Sequence, residues 1–212
     1  MDNVSVVVTT CGREDLLEKT IKSFNNANSY PIDEFIFIND GGKDISYLVS
    51  TFNIKNFVVV SNTEKRGQLY SIDLGYSIAK NNFIFHLEDD WMFDVEGNFL
   101  KDSVDILKNR QDIHQVWLRH DYDNPHKTEQ ALQDINGVLG YFVIDGFQNV
   151  WNGFSFNPGL RRKDDYLKMF PEGYKTFKDE KECAIYLRKF NYKVIRLKDT
   201  YCHHIGYARS NY

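Results

Sequence analysis

Over residues 1–90 the chain alternates between short β-branched runs and amphipathic stretches, and that order leaves few architectures open. "VSVVVTT" (residues 4–10) is apolar without period-two alternation, the pattern of a strand covered on both faces as in parallel sheets. In "REDLLEKTIKSFNNAN" (13–28), Leu16, Leu17, Thr20, Ile21 and Phe24 recur at helical spacing. "EFIFIND" (34–40) predicts a second strand, ended by the turn at Gly41 and Gly42. A weak helix over 45–52 and a third strand, "NFVVVSN" (56–62), follow. Leu69, Ile72, Tyr76 and Ala79 mark a helix over 67–80, and "NFIFHL" (82–87) is a fourth strand. A β-α-β-α-β-α-β series predicts right-handed crossovers, hence an α/β, Rossmann-like domain with a mostly parallel central sheet flanked by helices. Ligands of such sheets bind at the carboxyl ends of the strands. Polar residues gather at those ends: Thr9 and Thr10 after strand one, Asp40 after strand two, and Glu88, Asp89 and Asp90 after strand four.

The second half is less regular. The pattern predicts a helix over 97–110, a strand at "HQVWLRH" (114–120), a long polar loop over 120–137, and strands at "GYFVID" (140–145) and "WNGFSFNP" (151–158). A helix over 179–190 and a closing strand, "YKVIRL" (192–197), complete it. "NPGLRRKDD" (157–165) reads as a turn whose Arg161, Arg162 and Lys163 meet solvent or bind an anion. No repeat or low-complexity linker divides the chain, so 212 residues are expected to form one domain.

A net charge of −4 lacks the basic excess of a nucleic-acid binder, so no nucleic-acid partner is expected. Cys11, Cys183 and Cys202 are odd in number and without metal-type spacing, which suits reduced thiols in the cytoplasm. The start carries no positively charged segment before an apolar one, and no long apolar run occurs; neither a signal peptide nor a transmembrane segment is expected. The content of 16 Phe and 13 Tyr serves a filled core or stacking surfaces. Trp91, Trp151 and Phe154 are candidates to stack on sugar rings, Trp91 the best placed of them and Phe154 a core residue by default.

"NFIFHLEDDW" (82–91) ends a greasy strand in three consecutive carboxylates. Such crowding is unfavourable unless a cation offsets it. Mg²⁺ and Mn²⁺ take oxygen ligands, often one or two carboxylates plus substrate phosphates. Along an extended backbone Glu88 and Asp90 share one side and Asp89 points away. A simply solvated acidic turn is the alternative.

With those residues in view, the chain resembles the family-2-type glycosyltransferases with the GT-A fold. "VSVVVTTCGREDLLEKTIKSF" resembles their opening strand and helix, and "FIFINDGGKD" their "DDGS" segment, with Asn39 in place of the first Asp. "KRGQLYSIDLGYSIAKNNFIFHLEDDW" resembles their Gly-led helix and DxD strand. "KDEKECAIYLRKFNYKV" resembles a later "ED" segment, and "HHIGYARS" a His-x-Gly close. The resemblance covers nearly the whole chain. It implies one domain over 1–212, with 1–91 binding the nucleotide sugar and 92–212 the acceptor. It implies transfer of a sugar, UDP-linked as the first expectation, to an acceptor hydroxyl on a glycan, with Mn²⁺ or Mg²⁺ as cofactor. Thr9, Thr10 and Arg13 fall where the family lines its nucleotide pocket, Asp40 where a carboxylate meets the base, and Arg66 near ribose or phosphate. Glu88 and Asp90 take the two acidic DxD positions, Asp90 as direct metal ligand; Asp89 and Trp91 complete the donor contacts. Glu in the first position departs from the family pattern.

An inverting transferase also needs a base for the acceptor's proton. The family places it in the "ED" segment, here Asp179 and Glu180 in swapped order. Aligning "NYKV" with the family's "GYKV" puts Glu180 at the base position, so the resemblance favours Glu180; "DEKE" also reads as a helix cap with Asp179 at its head. His204, standing in "HIG", is a further metal ligand or diphosphate contact; His203 is the weaker candidate. His86 is expected in the core. Two rival readings remain: a nucleotidyltransferase, whose Gly-rich loop "TTCGRED" lacks, and a non-catalytic nucleotide- or carbohydrate-binding module.

Overall fold

The computed structural model describes residues 2–120, 127–145 and 153–207, and not the side chains of 127–131 and 144–145. The first half follows the predicted alternation: β1 (Val4–Thr10), α1 (Glu14–Ala27), β2 (Glu34–Asn39), α2 (Ser46–Val49), β3 (Phe57–Ser61), α3 (Gln68–Ile78) and β4 (Phe83–Glu88). Then come β5 (Trp91–Phe93), α4 (Phe99–Asn109), β6 (Ile113–Trp117), β7 (Lys127–Ile135), β8 (Val138–Asp145), β9 (Gly159–Arg162), α5 (Lys163–Met169), α6 (Glu180–Leu187), β10 (Lys193–Leu197) and β11 (Cys202–His204).

Nine strands form one sheet in the order β3-β2-β1-β4-β9-β6-β10-β8-β7. β1 to β4 pair in parallel, as does β10 with β6. β9 lies antiparallel between β4 and β6, and β8 and β7 extend the far edge antiparallel. The sheet is therefore mixed rather than mostly parallel. The excess antiparallel pairing comes from strands that enter without a helical crossover. β7 and β8 are joined at Asn136 and Gly137, both with positive φ (53° and 88°), as a two-residue hairpin turn requires.

Successive residues of the inner strands face opposite layers. Val6, Val8, Phe35, Phe37, Phe85 and Leu87 pack with α1 and α4 through residues such as Leu17, Phe24 and Leu100. Val7, Ile36, Ile38 and Ile84 pack with α3, α5 and α6 through Ile72, Tyr76, Met169 and Leu187. This burial on both faces is why these strands read as unbroken apolar runs.

Three expectations for the second half fail. The loop predicted over 120–137 contains β7. Residues 153–158 form bends and irregular chain, not a strand; Trp151 lies outside the described residues. The basic turn is strand β9, with Arg161 and Arg162 buried. Arg162 binds Asp165 and the carbonyls of Leu107 and Ile113, so neither solvent nor a ligand anion is needed to satisfy it. Phe154 is a core residue. Among the described residues no helix is long and apolar enough to cross a membrane.

Candidate functional site

The three carboxylates of the acidic turn sit at the carboxyl edge of the sheet, and helix α1 holds the turn in place. The Thr20 hydroxyl donates to the Asp89 carbonyl (2.8 Å) and accepts from the Trp91 amide (3.0 Å). One turn on, Ser23 Oγ accepts from the Phe93 amide (3.1 Å). β4 ends at Glu88; beyond it Asp89 turns inward to Arg13, and Asp90 is the foremost charge acting on Glu88.

Glu88 accepts a hydrogen bond from Gln68 Nε2, on the first residue of α3. Burial first, then the charges of Asp90, Glu180 and Asp89, push its carboxyl up to about 8. Asp89 turns inward and is fully buried. It accepts from Thr10 Oγ1 and from the Arg13 guanidinium, whose Nε lies at 3.2 Å. Burial holds its carboxyl high, at about 6, against the pull of Arg13. Asp89 therefore presents no surface to a donor, contrary to expectation: it fixes Arg13. That arginine also reaches Asp90 Oδ2 through Nη1 (2.8 Å), bridging the two aspartates.

Asp90 is gripped by the His-x-Gly segment. His204 Nε2 lies 3.2 Å from Oδ2, and the Ile205 amide donates to the Asp90 carbonyl (2.8 Å). At Gly206 a Cβ would stand 2.3 Å from Asp90 Oδ2, so only glycine lets the carboxylate take this position. Burial raises the Asp90 carboxyl, but the hydrogen bond from His204 and the charge of Arg13 outweigh it and hold the group below its usual range. Among the described residues Asp90 Oδ1 is buried without a hydrogen-bond partner. One orphaned carboxylate oxygen beside an imidazole suits Mn²⁺ or Mg²⁺ with the remaining positions left to phosphate and water. Asp90 and His204 thus fit as ligands; Glu88 joins them only once deprotonated. Trp91 is 2% exposed and packs on His204 (ring centroids 5.3 Å) under the Arg119 guanidinium. It supports the histidine and leaves no face for a sugar, which corrects the stacking expectation.

Asp40, just past β2, is buried. Its carboxylate accepts from Asn62 Nδ2 (2.7 Å) and from the amides of Arg66 (2.8 Å) and Gly67 (2.7 Å). It orders the loop that leads into α3, and the exposed Arg66 side chain stacks over Tyr70 (4.6 Å). Thr9 is buried at the end of β1, one residue before the Thr10–Asp89 contact.

The two candidates in the "ED" segment divide. Asp179 caps α6: its Oδ1 accepts from the Glu182 amide (2.9 Å), and Glu182 accepts from the Lys178 amide (2.6 Å). Glu180 turns toward the sheet edge, where Oε2 accepts from the Phe156 amide (2.8 Å). Burial raises its carboxyl against that hydrogen bond and the charges of Arg161 and Arg119. His86 is buried beside Phe156 (5.8 Å) and, by burial first and Arg161 second, is held neutral.

Gln68 and Thr20 act at the site with little signal in the sequence. Thr20 stands on the apolar stripe of α1, where a hydroxyl is the clue; Gln68 opens a helix behind a Gly. A cleft of about 610 Å³, lined in part by Asn25, Asn28, Asp33 and Asn56, opens at the amino edge of the sheet, away from the carboxylates.

Comparison with known proteins agrees with this fold. Two solved structures share the fold. One is the mannosyltransferase PcManGT from Pyrobaculum calidifontis in complex with GDP-Man and Mn²⁺: TM-score 0.69, 16% identity, covering 98% of this chain and 58% of that one. The other is residues 1–349 of S. aureus TarS: TM-score 0.65, 13% identity, covering 97% and 61%. The chain thus spans about three fifths of each. No curated protein matches it in sequence. The fold is the GT-A fold that the motifs implied, and the model of glycosyl transferase family 2 matches residues 5–194, from β1 into β10. A family model that runs from β1 into β10 places this protein in glycosyl transferase family 2.

Proposed function

We propose that the chain transfers a sugar from a nucleoside-diphosphate sugar to an acceptor hydroxyl, with inversion, using Mn²⁺ or Mg²⁺ held by Asp90 and His204. The observation that carries this is the Asp90 carboxylate, fixed on one oxygen by Arg13 and His204 and left with the other orphaned at the ligand edge. The ion, when bound, supplies Lewis-acid stabilisation to the diphosphate leaving group. Arg13, Thr10 and Asp89 hold Asp90 in position. Asp40 orders the Asn62–Gly67 loop beside the place where nucleotide would lie, with Thr9 and Arg66 at its margins. Glu180 accepts the acceptor's proton; its raised pKa strengthens it as a base, and Asp179 sets the helix start that aims it. Residues 1–91 supply most donor contacts and 92–212 the acceptor side, although Glu180 and His204 come from the second half. A glycan hydroxyl is the acceptor class. UDP-linked donors are the first choice, and the mannosyltransferase's complex makes GDP-mannose the second. The buried thiols of Cys11, Cys183 and Cys202 suit the cytoplasm.

A thermal-shift screen of UDP- and GDP-sugars with and without Mn²⁺ tests the reading. Saturation at ~100 times Kd stabilises the folded state by about 2.7 kcal/mol. One donor should shift the midpoint only with metal present, and Asp90→Asn should abolish the shift. A donor shift indifferent to both Mn²⁺ and Asp90→Asn would overturn it.

A further inference from the structure

The ribbon that brings His204 to Asp90 has a second face. β11 pairs antiparallel with β5, placing His203 opposite Met92 and His204 opposite Trp91. Consecutive strand residues point to opposite sides, so His203 leaves the acidic turn and meets Asp94 instead. Its Nδ1 lies 3.0 Å from Asp94 Oδ2, and His120 Nε2 lies 3.0 Å from Asp94 Oδ1. One ligand atom from each of the three residues falls within 4.8 Å of the others. The other ring nitrogen of His120 is 2.6 Å from Thr200 Oγ1, the kind of outer contact that orients a metal-binding imidazole.

We propose that Asp94, His120 and His203 bind a transition-metal ion of the Zn²⁺ class at a site separate from the cation site at Asp90. Two imidazoles and one carboxylate form a set that suits zinc, whereas Mg²⁺ prefers oxygen. Donors about 2.05 Å from a tetrahedral zinc stand about 3.3 Å from one another; each imidazole nitrogen lies 3.0 Å from its own Asp94 oxygen, and one donor atom per residue falls within 4.8 Å of the others. The side chains are 39%, 17% and 28% exposed, so an ion has a path in and solvent completes its shell. The three residues follow β5, follow β6 and lie on β11. The ion therefore ties together three distant segments and steadies the ribbon that carries His204 and Gly206. The bland alternative is two N–H···O hydrogen bonds sharing one carboxylate.

The test uses the full chain stripped of metal, dialysed against Zn²⁺ with excess Mg²⁺, then analysed for bound metal. The wild type should take up one equivalent at about 10 µM free Zn²⁺ and melt at a higher temperature. His203→Gln and His120→Gln should each weaken uptake roughly 100-fold, while His204→Gln keeps it. Co²⁺ in place of Zn²⁺ should give the visible absorption of a low-coordinate site, which decides the matter in the wild type if a variant fails to fold. Absence of uptake by the wild type overturns the proposal. So does uptake that survives His203→Gln and is lost with His204→Gln, which puts the ion at Asp90.

Discussion

Gly206→Ala is a change of one methyl group aimed at the Asp90 carboxylate. The new Cβ would lie 2.3 Å from Oδ2 and 2.8 Å from both Cβ and Cγ of Asp90, where ordinary contact begins at 3.4 Å; the deficit to Oδ2 is 3.4 − 2.3 = 1.1 Å. The backbone cannot simply back away, because the next residue upstream, Ile205, is hydrogen-bonded to Asp90 itself. The carboxylate must therefore swing, breaking the arrangement with His204 and Arg13. Overpacking of this kind costs about 1–3 kcal/mol. A displacement of ~1 Å at a reacting group lowers turnover about 100-fold. The assay is Mn²⁺ binding by electron paramagnetic resonance, alongside thermal unfolding. Gly97→Ala serves as control: its Cβ would meet the Tyr201 ring at 2.6 Å, a comparable clash away from the carboxylates. Gly206→Ala should lose Mn²⁺ affinity at least ~10-fold while Gly97→Ala loses only stability. Equal Mn²⁺ affinity in Gly206→Ala and wild type would refute the claim that this glycine sets the carboxylate's position.

Glu180→Gln should lower kcat roughly 10²–10⁴-fold with the donor-induced thermal shift intact, and in the wild type the rate should fall as pH drops through the raised pKa of Glu180. Asp179→Ala should cost about 1 kcal/mol of stability by removing a helix cap, with a far smaller effect on rate. Thr20→Val strands the buried Asp89 carbonyl and Trp91 amide together and should cost about 2–4 kcal/mol, read from urea unfolding with an unchanged m-value. His114, packed beside Phe154 and Tyr192, is held down to about 3 by burial first and by Arg161 and Arg162 second. The unfolded chain takes up that proton below its ordinary 6.5 and the folded chain does not, so stability is lost as pH falls. The stability difference between wild type and His114→Gln should thus shrink by about 2 kcal/mol from about pH 7.5 to about pH 5; a difference independent of pH would contradict the burial argument.

The parallel half of the sheet and its helices were legible because each element carries its own signal: unbroken apolar runs in β1, β2 and β4, and helical spacing in α1 and α3. The acidic turn was legible as a place, but not as an arrangement. Which carboxylate faces Arg13 depends on α1 and β4 meeting across more than seventy residues of sequence. β9 was misread for a related reason. "GLRR" is polar in composition, and only the Asp165 carboxylate and the carbonyls of Leu107 and Ile113 for Arg162, and the Ser155 carbonyl for Arg161, make two arginines acceptable in a buried strand. β7 was missed because a polar edge strand has no apolar period; its partner β8 and the Asn136–Gly137 turn define it. The choice between Asp179 and Glu180 needed the Glu182 amide and the Phe156 amide, each of which claims one carboxylate.

The salt bridge between Arg13 and Asp89 leaves the acidic cluster nearly spent before any ligand arrives. Asp89 is cancelled from inside and burial pushes Glu88 toward its protonated form, so Asp90, with one oxygen bound by Arg13 and His204 and the other without a partner among the described residues, is the carboxylate left for a cation. A dication seated there would leave a net positive charge, which a doubly anionic diphosphate would more than offset. Metal and nucleotide should therefore assemble as partners, each weak alone and each raising the other's affinity by the same factor. By the same coupling, loss of the diphosphate would weaken the hold on the ion.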